Sequence, residues 1–211
     1  MALIITVAQQ KGGAGKTMVA ASLAAAWAPA HRVTLIDIDP QRTLKRWHTI
    51  RTTGPAAAKL SPLAFSDVSG WRLQAEIDRL QREADIVIID TPPQVEADAA
   101  RAIRAASLVL IPVQPSPPDL WAAEGTVTLA LAERRRVALV LNRAVAKSRL
   151  RASVESEIAR RGLLLLPATL GNRSFFAQAF AQGMGVTETH PRSPAADELK
   201  SLAQAVLEAA Q

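Results

Sequence analysis

The sequence predicts an α/β fold of the P-loop type, a mostly parallel, twisted sheet with helices on both faces. Three observations predict it. Runs rich in Val, Ile and Leu recur with apolar residues at successive positions, as in strands covered on both faces. Segments with helical spacing separate these runs. A glycine-rich turn, Lys11-Gly12-Gly13-Ala14-Gly15-Lys16-Thr17, joins the first run to the first helical segment. Strand–helix alternation of this kind implies right-handed crossovers between parallel strands.

Strands are expected at Leu3–Ala8, Val33–Ile36, Ile86–Ile89, Leu108–Val113, Val137–Leu141 and, less distinctly, Leu163–Leu166. Helices are expected over Thr17–Trp27, Trp71–Arg82, Glu96–Ala105, Leu120–Ala132, Leu150–Arg161 and Phe175–Gln182. Leu150, Val154 and Ile158 fall on one helical face and leave Arg151 and Glu155 to solvent. A last helix opens with Ser193 as cap and Pro194 in its first turn, and carries a stripe of Leu199, Leu202 and Val206. Gln114-Pro115-Ser116-Pro117-Pro118 reads as a rigid strand-to-helix loop. No internal repeat is visible, and 211 residues suffice for one sizeable core, so residues 1–211 are read as a single domain of the P-loop type.

Composition narrows the chemistry. The chain has no cysteine, which excludes disulfides, thiolate metal sites, iron–sulfur clusters and a cysteine nucleophile. His31, His48 and His190 are scattered and suggest no metal site. No apolar run approaches the roughly 18 residues of a membrane span, and Met1-Ala2-Leu3-Ile4-Ile5 carries no basic n-region and is followed directly by the glycine-rich turn, so a strand and not a signal peptide is expected there. A soluble, cytoplasmic protein without a membrane partner follows. Net charge is +6, and between Glu133 and Arg173 ten Arg and Lys face three acids. Such a field favours polyanions, and a solvated basic surface is the plainer reading. Arg134-Arg135-Arg136, just before a strand on the edge away from the ligand crevice, reads as a solvated loop. Phe175 and Phe176 read as core packing.

Three motifs carry chemistry. In the glycine-rich turn, Gly12, Gly13 and Gly15 let backbone N–H groups converge on phosphate oxygens, and the helix opening near Lys16 adds its N-terminal dipole. Lys16 is suited to the β- and γ-phosphates and the Thr17 hydroxyl to Mg²⁺. A chance glycine-rich turn is the alternative. Asp90 ends a buried run and is followed by Thr91-Pro92-Pro93; a carboxylate there faces the ligand crevice and suits water-mediated Mg²⁺ binding, or else it caps a helix. Asp37 and Asp39, spaced by two in Asp37-Ile38-Asp39-Pro40-Gln41, point the same way from an extended chain. They suit Mg²⁺ coordination and the orientation of an attacking water, although Asp-Pro also opens ordinary turns.

Together these motifs resemble the deviant-Walker-A ParA/MinD ATPases of the SIMIBI-type P-loop class, in particular the small ParA partition proteins without an N-terminal DNA-reading domain. Asp39-Pro40-Gln41 followed by Trp47 is similar to that subgroup. Leu141-Asn142-Arg143 and Leu166-Pro167 match where the family builds its adenine pocket, and Arg173, Ala177 and Gly183 match its late helix. Ala14 stands where Val is usual, and Met18 where a second Thr is frequent.

The resemblance implies an Mg²⁺-dependent ATPase that cycles between ATP and ADP. Lys11 to Met18, Asn142, Arg143 and Pro167 would bind nucleotide. Lys11 would be the signature lysine that reaches a partner's phosphates in an ATP-bound homodimer. Lys16 and Asp39 would serve catalysis, Asp39 by placing the water; Thr17, Asp37, Asp39 and Asp90 would hold the metal. Family members of this type bind double-stranded DNA without sequence preference when dimerised, and Lys147, Arg149, Arg151 and Arg173 match their DNA-contacting positions. A ParB-like or adaptor partner would stimulate hydrolysis, and the protein would be nucleoid-associated while it partitions or positions plasmid, chromosome or other cargo. Two other classes compete. A MinD-like ATPase acting at a membrane or on a protein assembly would need a basic amphipathic tail, whereas Asp197 to Gln211 carries three acids and one lysine. An enzyme of the nitrogenase iron protein type lacks its cluster ligands here.

Overall fold

The computed structural model describes residues 1–68, 70–94, 97–145 and 148–211. Among them, seven strands form one sheet: β1 (Leu3–Val7), β2 (Val33–Asp37), β3 (Ala64–Ser66), β4 (Ile86–Asp90), β5 (Leu108–Val113), β6 (Arg136–Ala144) and β7 (Leu165–Gly171). Their order is β3-β2-β4-β1-β5-β6-β7, and every pairing is parallel. Among the described residues nine α-helices connect or follow them: α1 (Lys16–Trp27), α2 (Thr43–Thr53), α3 (Leu73–Glu83), α4 (Ala97–Ala105), α5 (Pro117–Ala132), α6 (Arg149–Arg160), α7 (Ser174–Ala181), α8 (Val186–Thr189) and α9 (Pro194–Ala210). Among the described residues no helix is long and apolar enough to cross a membrane.

The uninterrupted apolar runs have a simple cause. Successive side chains of a strand point to opposite faces, and here both faces are covered. Ile5, Val7, Leu35, Ile88 and Leu110 pack beneath α1 and α9. On the other face Ile4, Ile36, Val87 and Ile89 meet α3, while Val109, Ile111, Leu139 and Leu141 meet α5 and α6. The central strands are therefore Val, Ile and Leu at nearly every position. Helix α1 is buried almost all round, and its run of alanines permits that close approach. Phe176 is buried, and Phe175 stacks on His190 with centroids 4.4 Å apart, as core packing predicts.

Three of these elements were not expected: β3, α2 and the single-turn α8. Strand β3 has three residues at the sheet edge, too short for a readable pattern. Helix α2 buries only Leu44, Trp47 and Arg51. Arg51 packs over Trp47, pairs with Glu188 at 2.7 Å and donates to the carbonyls of Gly183 and Ser61. A buried guanidinium so completely engaged holds α2 against α8 and hides the helix from a search for apolar stripes. Helix α5 opens at Pro117, earlier than expected, because Ser116 caps it and prolines suit its first turn. Strand β7 runs on to Gly171 with alternating burial, and Pro167 is tolerated there because this is an edge strand. The Arg134–Arg136 segment lies at the N-terminal end of β6, away from the ends that carry the glycine-rich loop.

Candidate functional site

The glycine-rich loop leaves the C-terminal end of β1, the central strand, and enters α1 at Lys16. Gly13 and Gly15 take positive φ values of 77° and 93°. A Cβ on Gly15 would lie 2.3 Å from Asn142 Nδ2, so only glycine lets the loop close on β6. Asn142, wholly buried, donates from Nδ2 to the Ala14 carbonyl at 2.8 Å and accepts the Arg143 N–H at Oδ1. Gln114 and Arg143 donate to the Gly13 carbonyl at 3.2 and 3.3 Å. With these carbonyls held from outside, the first-turn N–H groups of α1, which no helix can satisfy internally, remain available to an anion.

Lys16 is buried, and its Nζ donates to the Gln9 carbonyl at 3.1 Å. Burial pulls its ammonium below the ordinary lysine range, against the opposing charges of Asp90 and Asp39. Thr17 Oγ1 donates to Asp90 Oδ2 at 2.6 Å, while Asp90 Oδ1 is buried with no hydrogen-bond partner. Burial pushes the Asp90 carboxyl up to about 8; the Thr17 hydrogen bond opposes the shift and the neighbouring Asp37 adds to it. A carboxylate with one orphaned oxygen beside a threonine hydroxyl is a poor resting arrangement for a core and a good one for a hydrated divalent cation. Among the described residues no group of three His, Cys, Asp or Glu could hold a metal ion. The donor set therefore fits Mg²⁺ sharing phosphate oxygens and waters, not an all-protein cage.

Asp37, expected among the metal ligands, has each carboxylate oxygen engaged by a backbone N–H. It is aligned with Asp90 across the β2–β4 pairing and is wholly buried. Its Oδ1 accepts the Asp39 N–H at 3.0 Å, and its Oδ2 accepts the Lys45 N–H at 2.9 Å. Asp37 thus caps α2 from the end of a strand and fixes the loop bearing Asp39. Asp39 is half-buried, and its Oδ1 accepts from the Gln41 N–H at 2.8 Å.

Lys11 is held where the sequence offered no signal. Its Nζ lies 2.7 Å from Oδ2 of Asp119, a buried residue in the first turn of α5 that also accepts from Ser116 Oγ. Asp119 is 108 positions away and reads from sequence as an ordinary first-turn acid.

Beside the loop lies a hollow of about 630 Å³ lined by Met18, Asn142, Arg143, Arg173, Phe176 and Phe180. Its size and mixed lining suit a nucleobase. Pro167 does not line it; it sits exposed in the middle of β7, whereas Gly171, the strand's last residue, and Asn172 to Ser174 beyond it do. A larger hollow, about 860 Å³, opens near the N-terminal ends of β2 and β4, away from the loop. Its charges are already paired with one another, Arg79 with Glu76 and Arg32 with Asp85.

Of the basic residues expected at DNA, Arg151 and Arg173 meet at one small hollow by the ends of β6 and β7, together with Thr169 and Glu198. Arg149 is exposed at the start of α6. Lys147 lies outside the described residues. Much of the basic stretch is internally paired: Arg151 with Glu155, Arg160 and Arg161 with Glu157, and Arg173 with Glu198.

Comparison with known proteins agrees with this geometry. The chain is 30% identical over 213 residues to a maintenance of carboxysome distribution protein A from Halothiobacillus neapolitanus, covering 98% of this chain and 97% of that one. It is 29% identical to the chromosome-partitioning ATPase Soj of Thermus thermophilus, covering 96% and 94%. The structure of apo McdA from Cyanothece superposes with a TM-score of 0.81 over 98% of this chain and all of that one; at 19% identity this likeness speaks for the fold alone. The family profile described as CobQ/CobB/MinD/ParA nucleotide binding domain matches residues 5–186, and with the phosphate cradle it makes this chain a member of that ParA/MinD-type nucleotide-binding family.

Proposed function

We propose that this protein is an Mg²⁺-dependent positioning ATPase that dimerises on ATP, binds DNA without sequence preference, and is reset by hydrolysis. The observation that carries the reading is the cradle itself: Lys16 buried and underhydrated, and Asp90 left with an unpartnered oxygen beside Thr17. Lys16 exchanges the Gln9 carbonyl for the β- and γ-phosphates. Thr17 and Asp90 would hold Mg²⁺, which when bound would supply charge neutralisation at the phosphates. Asp39 orients the water that attacks the γ-phosphorus as the bond to the β–γ bridging oxygen breaks, giving ADP and phosphate. Lys11, once it leaves Asp119, is free to reach the phosphates of a second copy, where charge accumulates on the leaving group.

Arg149, Arg151 and Arg173 supply phosphate contacts without base readout, and dimerisation doubles their number on one surface. The cargo is a plasmid, a chromosome or a protein assembly, as the names of the carboxysome-distribution and chromosome-partitioning relatives indicate for those proteins. An adaptor of the ParB kind would couple hydrolysis to it. A membrane role is disfavoured because α9 spends its stripe of Leu199, Leu202 and Val206 on the core. The test is fluorescence anisotropy with two unrelated duplexes, in ATP trapped by Asp39→Ala and in ADP. Equal affinity for each duplex, present in ATP and weak in ADP, is expected; equal affinity in both nucleotides overturns the DNA switch.

A further inference from the structure

We propose that the turn from Gly171 to Arg173 is a site for one DNA backbone phosphate, and that the protein's own Glu198 fills it when DNA is absent. This rests on the DNA reading above and adds its regulation. Glu198 projects from α9 and accepts four hydrogen bonds from this turn. Its Oε2 accepts the Gly171 N–H at 2.9 Å and Arg173 Nε at 3.1 Å; its Oε1 accepts Arg173 Nε at 3.0 Å and Nη2 at 2.7 Å. A backbone N–H beside a forked guanidinium is a donor set that receives a phosphate oxygen as readily as a carboxylate.

Three further observations point to an exchangeable site and not to a buried strut. The pair is open to water, with the Arg173 side chain 40% and Glu198 23% exposed. A Cβ at Gly171 would lie 3.1 Å from Arg173 Nε and 3.3 Å from the Glu198 oxygens, so glycine keeps room for an anion at the turn. Arg151 lines the same hollow of about 330 Å³ and donates to Thr169 Oγ1 at 3.3 Å, bringing a second guanidinium and a hydroxyl to the anion. Exposed ion pairs are weak, so a polyanion presenting several phosphates displaces Glu198 where a single free anion does not. The turn also borders the hollow beside the nucleotide loop, which places the exchange next to the base.

The test compares wild type with Glu198→Gln, both carrying Asp39→Ala to hold ATP, by titrating a random-sequence duplex across a salt series. Glutamine keeps the size and an acceptor for the Gly171 N–H but removes the competing charge. Affinity is expected to rise about two- to fivefold per protomer. The slope of log K against log salt is expected to steepen by up to about 0.9 per protomer, because Arg173 then neutralises a phosphate without freeing an internal carboxylate that recruits a cation. Glu198→Asp, which retracts the charge by one methylene, should move both quantities the same way and less. ATP affinity and melting temperature are the controls on folding. Unchanged affinity and slope in both Glu198 variants, while Arg173→Ala weakens binding, overturns the exchange and leaves the DNA reading intact. Absence of DNA binding in every protein, wild type included, overturns the DNA reading and this inference with it.

Discussion

Lys11 Nζ and Asp119 Oδ2 stand 2.7 Å apart, joining the glycine-rich loop to the first turn of α5. The lysine's side chain is 40% exposed and the aspartate's only 4%, so the acid is the fixed partner and the lysine the movable one. In the free chain Lys11 is therefore engaged within its own subunit, and on the proposed reading dimerisation breaks one such pair in each copy.

Asp119→Asn should release Lys11. At about 0.5–1 kcal/mol per pair, two pairs ease the ATP-bound dimer by roughly five- to thirtyfold in dissociation constant. Lys11→Ala should bind ATP and remain monomeric. Light scattering across a dilution series decides both; an Asp119→Asn dimer no tighter than wild type would show that the pair does not restrain assembly.

Lys16→Ala should lose nucleotide binding, because the main counter-charge to the β- and γ-phosphates is gone. The fold should survive within a few degrees in melting temperature, since the substitution removes a charge that burial already penalises. ATP affinity near wild type is the outcome that sinks the cradle assignment.

Asp37 and Asp39, two residues apart, should fail differently. Asp39→Ala should bind ATP and dimerise while hydrolysing about a hundredfold more slowly. Asp37→Ala orphans the Asp39 and Lys45 N–H groups. The cost of about 2 kcal/mol should lower the melting temperature by roughly 4–8 °C in a chain of this size. Calorimetry beside a phosphate-release assay separates the two; normal turnover in Asp39→Ala removes that residue from the mechanism.

Asp90 makes the nucleotide-free protein sensitive to pH. Its folded pKa, raised by burial to about 8, exceeds its unfolded value near 3.8, so the folded state binds the extra proton between them. The stabilisation is fully present below the unfolded value and is lost as pH rises through the folded one. Wild type should therefore melt at falling temperature as pH climbs through that window, and Asp90→Asn should flatten this share of the dependence. Parallel profiles for the two proteins would contradict it.

The central sheet and the loop were legible because both are local. Buried parallel strands are apolar at each position, and a phosphate loop needs its glycines and lysine in sequence. Helix α2 was not legible, since its cap comes from Asp37 on a strand and its buried face includes Arg51. Asp119 was missed because its partner lies 108 positions away and no local pattern marks the contact. Pro167 falls within β7 and not beyond it, because the strand runs to Gly171, five residues past the expected end at Leu166. The basic stretch was legible as charge, but not how much of it Glu155, Glu157 and Glu198 already neutralise.

Asn142 gives the nucleotide site a reach beyond its own loop. Its carboxamide spans two hydrogen bonds, one from Nδ2 to the Ala14 carbonyl and one to Oδ1 from the Arg143 amide. That amide belongs to the last stretch of β6, the strand that leads to the arginines of α6. A phosphate that stiffens the loop thus also steadies this amide, and its exchange with solvent deuterium should slow with ATP although the nucleotide's phosphates never touch it. The side chain acts as a rivet between two otherwise separate parts of the chain, so that filling the loop is felt as rigidity at the end of β6 that leads to Arg149 and Arg151.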